Sequence, residues 1–383
     1  MKHCGIPFPE GRRFDCTCLG AVNVRATPLP RPGYGFTPWS GTLGAVFDPC
    51  GAELNLLASM GYIYNLRTRF VTGLPMGHAL VPIIKERVRG MNAHLDPYWF
   101  KMNPLGRPGI SMTYTNFPFD GFADRVTYDR DGEAAQCLKP EHHDWDEIMS
   151  STRLFHTGGL YAFLNPKLVL HAAEKANEHG VPMSFDPNWR QSLVNWRCET
   201  DGCTEEDVRD HLRAIVSKTT VLCANVNDPV DALGITKPDE RRVRAFFDSA
   251  DQDEFIARRG VFEGMIREIA KKFSSLKIIA MQLRREQSVH VHNWCAVAYA
   301  TETDEFAWAT HIATMMVQSR AGGGDGFAGA LESNLLQGIP LADCVNEGFA
   351  GGALVAKCPT DITLATHGDI AASLSGTSAK IER

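Results

Sequence analysis

The chain has 383 residues, with 39 Lys plus Arg against 45 Asp plus Glu and a formal net charge of −6. Apolar residues make up 44% and charged residues 22%, which supports a large core and is too apolar for a disordered chain. No stretch approaches the ~20 apolar residues of a membrane-spanning helix, Met1 to Asp15 lacks an apolar h-region, and no dense Lys/Arg block offers a surface for nucleic acid, so membrane, export and nucleic acid are not expected.

The 11 cysteines run from Cys4 to Cys358 without a repeating framework and read as the reduced thiols of a cytoplasmic protein. Residues Arg25 to Asp48 are rich in Pro, Gly and Thr, and Gly109 to Arg130 alternates polar and apolar residues with Gly121 at a turn. Both read as antiparallel strands, two excursions (25–48 and 109–130) that meet as a small β lid over one edge of a main sheet.

The middle of the chain alternates strands and helices. A strand is predicted from Thr152 to His156, then a helix opened by Asn165 as cap with Pro166 at its first position. Leu168, Val169, Ala172, Ala173 and Ala176 share its apolar face, and Gly180 stops it. Strands follow at Val181–Phe185, Thr220–Ala224 and Lys277–Leu283, separated by helical stretches at Glu205–Ser217 and up to Phe273. This spacing means βαβ crossovers, hence an α/β fold with a largely parallel central sheet covered by helices on both faces, as one domain over 1–383. The charged segment Lys237 to Arg259 reads as a solvated helix face.

The most informative run is Ser319-Arg320-Ala321-Gly322-Gly323-Gly324-Asp325-Gly326-Phe327. It opens a helix whose apolar face is Phe327, Ala330, Leu331 and Leu335, ending at Gly338 and Pro340. Glycines let backbone N–H groups turn inward, and the helix N-terminus adds positive field, so the turn fits a phosphoryl group. Asp325 is then either the base for a nucleophile attacking that group or only a helix cap on a tight turn.

Here the sequence resembles the ribokinase-like (PfkB) carbohydrate kinases. Gly322 to Leu331 lies on their C-terminal Gly-Ala-Gly-Asp signature, with Gly323 for the Ala. Cys50-Gly51-Ala52-Glu53-Leu54-Asn55, followed by Met60-Gly61, lies on their Gly-Gly-x-x-x-Asn motif, and Asn225 to Asp228 on their Asn-x-x-Glu. Phe185-Asp186-Pro187-Asn188-Trp189-Arg190 and Tyr128-Asp129-Arg130 are most similar to the 2-keto-3-deoxygluconate kinase and fructokinase branch.

The resemblance implies a ribokinase-like fold and a kinase that moves the γ-phosphoryl group of ATP, with Mg2+, to a hydroxyl of a small carbohydrate. A sugar acid such as 2-keto-3-deoxygluconate is the expected acceptor. Asp325 is implied as base and Gly322, Gly323 and Gly324 as the anion hole. Gly51, Asn55, Asn23, Arg25, Arg130 and Arg190 are implied at the sugar, Asn225, Asp228, Arg284 and Arg285 at the nucleotide, and Asp228 on Mg2+ through water. Apart from the resemblance, the exposed edges of a small β layer leave open a homodimer through the lid. Arg130 has the other reading of a pair with Asp129 or Asp131, Arg190 of a pair with Asp186, and Arg284 and Arg285 of a solvated charge cluster.

Four positions depart from the family pattern. Ser319 stands for an Asp, which puts a monovalent-cation site in doubt. Gln282 to Gln287 replaces a glycine-bearing loop near the nucleotide. Arg25 stands for a sugar-facing Asp, which either favours an acidic substrate or ends activity on neutral sugars, and Cys50 replaces a glycine. The rival readings are a ligand-binding protein of the same fold that has lost catalysis, and a kinase of a neutral sugar. Cys16/Cys18, Cys198/Cys203, His142-His143 and His290/His292 lack zinc-site spacing, and no Walker or Gly-x-Ser-x-Gly sequence occurs.

Overall fold

The computed structural model describes residues 2–29, 39, 44–116, 125–362 and 365–375. Its strands are β1 (Lys2–His3), β2 (Ile6–Pro7), β3 (Phe14–Leu19), β4 (Asn23–Pro28), β5 (Ala45–Cys50), β6 (Thr68–Pro75), β7 (Ala93–Phe100), β8 (Ser111–Asn116) and β9 (Arg125–Asp129). The second half adds β10 (Thr152–Gly158), β11 (Met183–Asp186), β12 (Val221–Asn225), β13 (Ile278–Glu286), β14 (Val291–Ala300), β15 (Glu305–Trp308) and β16 (Ala313–Met316).

Among the described residues the main sheet runs β15-β14-β13-β12-β11-β10-β3-β6-β7, with β16 also on β14. From β7 to β13 every pairing is parallel, and β14 turns the far edge antiparallel. β3 and β6 are buried along their whole length, as expected of parallel strands covered on both faces. No helix of the described residues is long and apolar enough to cross a membrane.

Local chemistry accounts for the helices. The Asn165 side chain accepts the Leu168 N–H at 3.3 Å, Pro166 opens the helix Pro166–Glu178, and the five apolar residues expected on its inner face are buried. Thr204 and Asp207 form a capping box ahead of Glu205–Val216. The single stretch expected up to Phe273 is instead the helices Asp228–Asp231, Glu240–Phe247, Gln252–Arg258 and Gly260–Lys272. Its charged part is not only a solvated face, because Phe246, Phe247 and Phe255 are buried.

The small sheet has the order β5-β4-β8-β9. Its outer pairs are antiparallel as expected, but β4 and β8 pair in parallel, Asn23 opposite Ser111 through Ala26 opposite Tyr114. Two hairpins lying side by side produce this register. The connections expected at 30–38, 40–43 and 117–124, Gly121 included, lie outside the described residues.

Candidate active site

The parallel register brings one set of strand ends to a common edge: Gly158 lies opposite Asp186, and Asn225 opposite Gln282. Ligands of open α/β sheets bind at this carboxyl edge. A cleft of about 610 Å³ opens there, lined by the ends of β11–β13, by the small sheet and by the glycine turn.

The turn is built by Gly322, whose φ of 76° is left-handed and whose added Cβ would collide with the Asp361 carbonyl. The helix Gly323–Gln337 starts immediately after it and ends at left-handed Gly338. Gln282 Nε2 donates to the Gly323 carbonyl at 3.1 Å, anchoring the first residue of the helix to β13. Gly324 faces the cleft: its added Cβ would meet only Asp186 Oδ2, at 3.8 Å.

Asp325 does not cap this helix. Its Oδ2 accepts a 2.7 Å hydrogen bond from Asn55 Nδ2, while Asn55 Oδ1 accepts the Gly51 N–H at 3.3 Å. Asn55 is therefore held at both ends of its amide, and its NH2 group can only point at the carboxylate. Burial pushes the Asp325 carboxyl up to about 7, opposed by the Asn55 hydrogen bond and reinforced by the Glu53 and Asp361 carboxylates.

Across the turn stands Asp186, which was not singled out from sequence although its segment was. Its Oδ1 accepts the Asn188 N–H at 3.0 Å, and Asn188 takes a left-handed φ of 44° that delivers Trp189 and Arg190 to the rim. Burial, then the nearby Asp228 and Asp325 carboxylates, hold the Asp186 carboxyl well above its ordinary range. Asp228 has a different task. Its two oxygens accept the Trp189 N–H at 2.9 Å and the Asn225 N–H at 3.0 Å, while Asn225 Oδ1 accepts from Asn227 and Asp228 at 2.7 and 3.1 Å. The pair clamps the ends of β11 and β12 together.

Of the residues expected at the sugar, Asn23, Arg25, Gly51, Asn55, Arg130 and Arg190 all line the cleft. Two of the expectations for them change, and one alternative falls. Arg130 pairs with neither Asp129 nor Asp131: it donates to Glu133 at 3.0 and 3.2 Å, because Glu133 is buried beside it and its neighbours are not. The Arg25 charge is met by Asp361 and the Pro359 carbonyl, so the charge reversal from the family pattern is compensated within the chain. Arg190 makes no ion pair with Asp186; it has none among the described residues, and its field favours the charged forms of Asp186 and Asp228. Cys50 donates to Asn23 Oδ1 at 3.1 Å, and burial pushes its thiol far up.

At the nucleotide end, Asn225, Asp228 and Arg284 line the cleft and Arg285 does not. Gln282 to Glu286 is not a loop but the continuation of β13, paired with β14 from Ala296 to His292. Side chains alternate along a strand, so Gln282 and Arg284 face the cleft while Arg285 points away, to Asp248 at 2.5 Å. Gly323 also stands behind the lining, against Trp294.

Mg2+ keeps several waters and binds proteins through few carboxylates, and no group of three or more metal-ligating side chains occurs among the described residues. Each Asp228 oxygen already accepts one backbone N–H, whereas Asp186 Oδ2 looks over Gly324 into the cleft. The donor set thus fits an ion held through its water shell, with Asp186 as the better placed carboxylate.

No family model matches the chain. Its structure is similar to a 2-dehydro-3-deoxygluconokinase from Thermotoga maritima, with a TM-score of 0.79 and 23% identity over 95% of this chain and 99% of that one. A ribokinase-type E. coli protein solved in complex with ATP and Mg2+ is similar at a TM-score of 0.64 and 14% identity, over 95% of this chain and 99% of that one. In sequence, "Probable fructokinase-4" of Arabidopsis thaliana is 24% identical over 211 residues, 54% of this chain, and the match spans only 59% of that relative's length. The chain has the ribokinase-like fold of the PfkB carbohydrate kinases.

Proposed function

We propose that the protein is a sugar kinase that transfers the γ-phosphoryl group of ATP to a hydroxyl of a small sugar acid. The observation that carries this reading is the Asn55–Asp325 hydrogen bond at the mouth of the glycine turn. It places an ionisable carboxylate, with a pKa near the working pH, beside backbone N–H groups suited to a phosphoryl group.

In the proposed reaction Asp325 takes the proton of the acceptor hydroxyl as its oxygen attacks the γ-phosphorus, and the β–γ bridging oxygen leaves with ADP. The N–H groups of the turn from Gly322 to Asp325 meet the charge that gathers on the transferring oxygens. The second Nδ2 hydrogen of Asn55 and the Asn23 side chain meet the sugar beside Gly51, whose own N–H is taken by Asn55 Oδ1. Arg190, whose charge no acid of the described residues takes up as an ion pair, binds the substrate carboxylate as a fork. Bound Mg2+ would neutralise phosphate charge, and Asp186 would hold one of its waters.

The small sheet closes the sugar end and excludes water, which suppresses ATP hydrolysis. Its outer strands expose Val46, Phe47, Val126 and Tyr128; Val126 and Tyr128 line the cleft, so two copies would pair through the open edges of this sheet. The 11 free thiols suit the reducing cytoplasm.

The test is ADP release with MgATP over a panel of sugars and sugar acids, alongside thermal shift by the same compounds. Turnover of an acid supports the reading. Fructose outpacing every acid moves the substrate to neutral sugars, and stabilisation without turnover leaves a binding protein.

A further inference from the structure

Arg25 sits at the middle of β4, 2% exposed, with its guanidinium turned into the cleft. A free cation there would be a second site for the substrate carboxylate. It is not free: Nη1 donates to Asp361 Oδ1 and Nη2 donates to the Pro359 carbonyl at 3.0 Å. The side chains of this pair are 3% and 11% exposed, so the pair is desolvated and each charge depends on the other.

Asp361 makes a second contact that involves its main chain. Its carbonyl packs directly against Gly322, where a Cβ would collide with it. One residue from the segment after the helix Leu341–Ala356 therefore joins a small-sheet strand, through its side chain, to the first residue of the glycine turn, through its backbone. The Asp361 carboxylate is also close enough to Asp325 to raise the carboxyl of the base.

We propose that Arg25 and Asp361 are positioning residues for the transfer step: the ion pair holds the 359–361 segment against Gly322 and so fixes the N–H groups of the anion hole, and Arg25 does not bind the substrate. This deepens the kinase reading and rests on it for its kinetic arm alone.

The experiment compares Arg25→Met, Asp361→Ala, the double variant and the exchanged pair Arg25→Asp with Asp361→Arg. Each is assayed for kcat and KM on the best sugar acid and on a neutral sugar, and for amide exchange at residues 322–325. Either single variant is expected to lower kcat about tenfold on both substrates, with KM for the acid changed less than about twofold. The double variant is expected to lose no more than either single one, since both remove the same interaction. Amide exchange over 322–325 speeds up equally in all three, and the exchanged pair restores part of the protection.

A rise in KM for acids alone in Arg25→Met, with tighter acid binding in Asp361→Ala, would overturn the proposal and make Arg25 a substrate ligand. Additive losses, or unchanged exchange in the singles, would overturn it as well. An inactive wild type ends the kinase reading, while the exchange arm still decides the latch.

Discussion

Asn55 and Asp325 stand 270 positions apart in the chain and meet through a 2.7 Å hydrogen bond. The first comes from the helix Ala52–Ala58, the second from the third residue of the helix Gly323–Gln337. An amide donor aimed at one carboxylate oxygen favours the ionised form and leaves the other oxygen for a proton.

The first prediction follows from that geometry. A base must be ionised to accept a proton, so with its carboxyl at about 7 the rate should rise with pH through neutrality and level off above it. Asn55→Leu removes the hydrogen bond to the charged form and should move the midpoint upward. Asp325→Asn should fold, bind ATP, and lose on the order of 10²-fold or more in kcat. A pH–rate profile of all three proteins is the check; an unmoved midpoint in Asn55→Leu, or near wild-type turnover in Asp325→Asn, removes the assignment.

The glycines of the turn should separate structure from chemistry. Gly324→Ala adds a methyl into open space 3.8 Å from Asp186 Oδ2, so its melting temperature should stay near wild type while phosphoryl transfer is blocked. Gly322→Ala meets both a left-handed backbone and the Asp361 carbonyl and should lose about 1 to 3 kcal/mol of stability. Gln282→Leu should lie between them, stable but slow, because the Gly323 carbonyl loses its anchor. Denaturation midpoints set beside kcat sort the three, and equal destabilisation of Gly322→Ala and Gly324→Ala would refute the distinction.

Substrate charge is the third test. With Arg130 held by Glu133 and Arg25 by Asp361, Arg190 is the arginine left to carry the proposed preference for acids. Arg190→Met should cost a sugar acid about 2 to 4 kcal/mol in kcat/KM and a neutral sugar of equal length little. Equal losses on both would mean that Arg190 orders the β11 end instead of binding a carboxylate.

The parallel sheet was legible because its signals are local. Asn165 before Pro166, the apolar spacing of Leu168 to Ala176 and the stop at Gly180 each act within one turn of helix. The glycine turn was legible for the same reason. What decided the fate of the arginines was not local. Asp361 lies 336 positions from Arg25, in a segment with no motif, and nothing in either neighbourhood announces the pair. Arg130 and Glu133 are only three apart, yet choosing Glu133 over Asp129 or Asp131 required knowing which acid is buried. Arg284 and Arg285 were indistinguishable until β13 proved to continue through Glu286, at which point the two-residue alternation sent one into the cleft and the other to Asp248.

Glu53 provides the last prediction, on stability. It is fully buried, its Oε1 accepts the Gly158 N–H at 3.1 Å, and its Oε2 has no hydrogen-bond partner. Burial, first of all, raises its carboxyl from the ordinary 4.5 to about 7. Between those two values the folded protein binds more protons than the unfolded chain, so stability falls as pH rises through that window. Below the window both states are protonated and Glu53 contributes nothing. Above it the penalty is complete, about 3 kcal/mol at 1.36 kcal/mol per pKa unit. Glu53→Gln keeps an acceptor for Gly158 and never ionises, although its amide hydrogens lack a partner, so it should be more stable than wild type at pH 8 by about 1 to 3 kcal/mol. That advantage should shrink as pH falls and vanish near pH 4.5. Urea denaturation of both proteins at several pH values decides it, since a difference that does not change with pH would show that Glu53 is not held in the raised state that its burial implies.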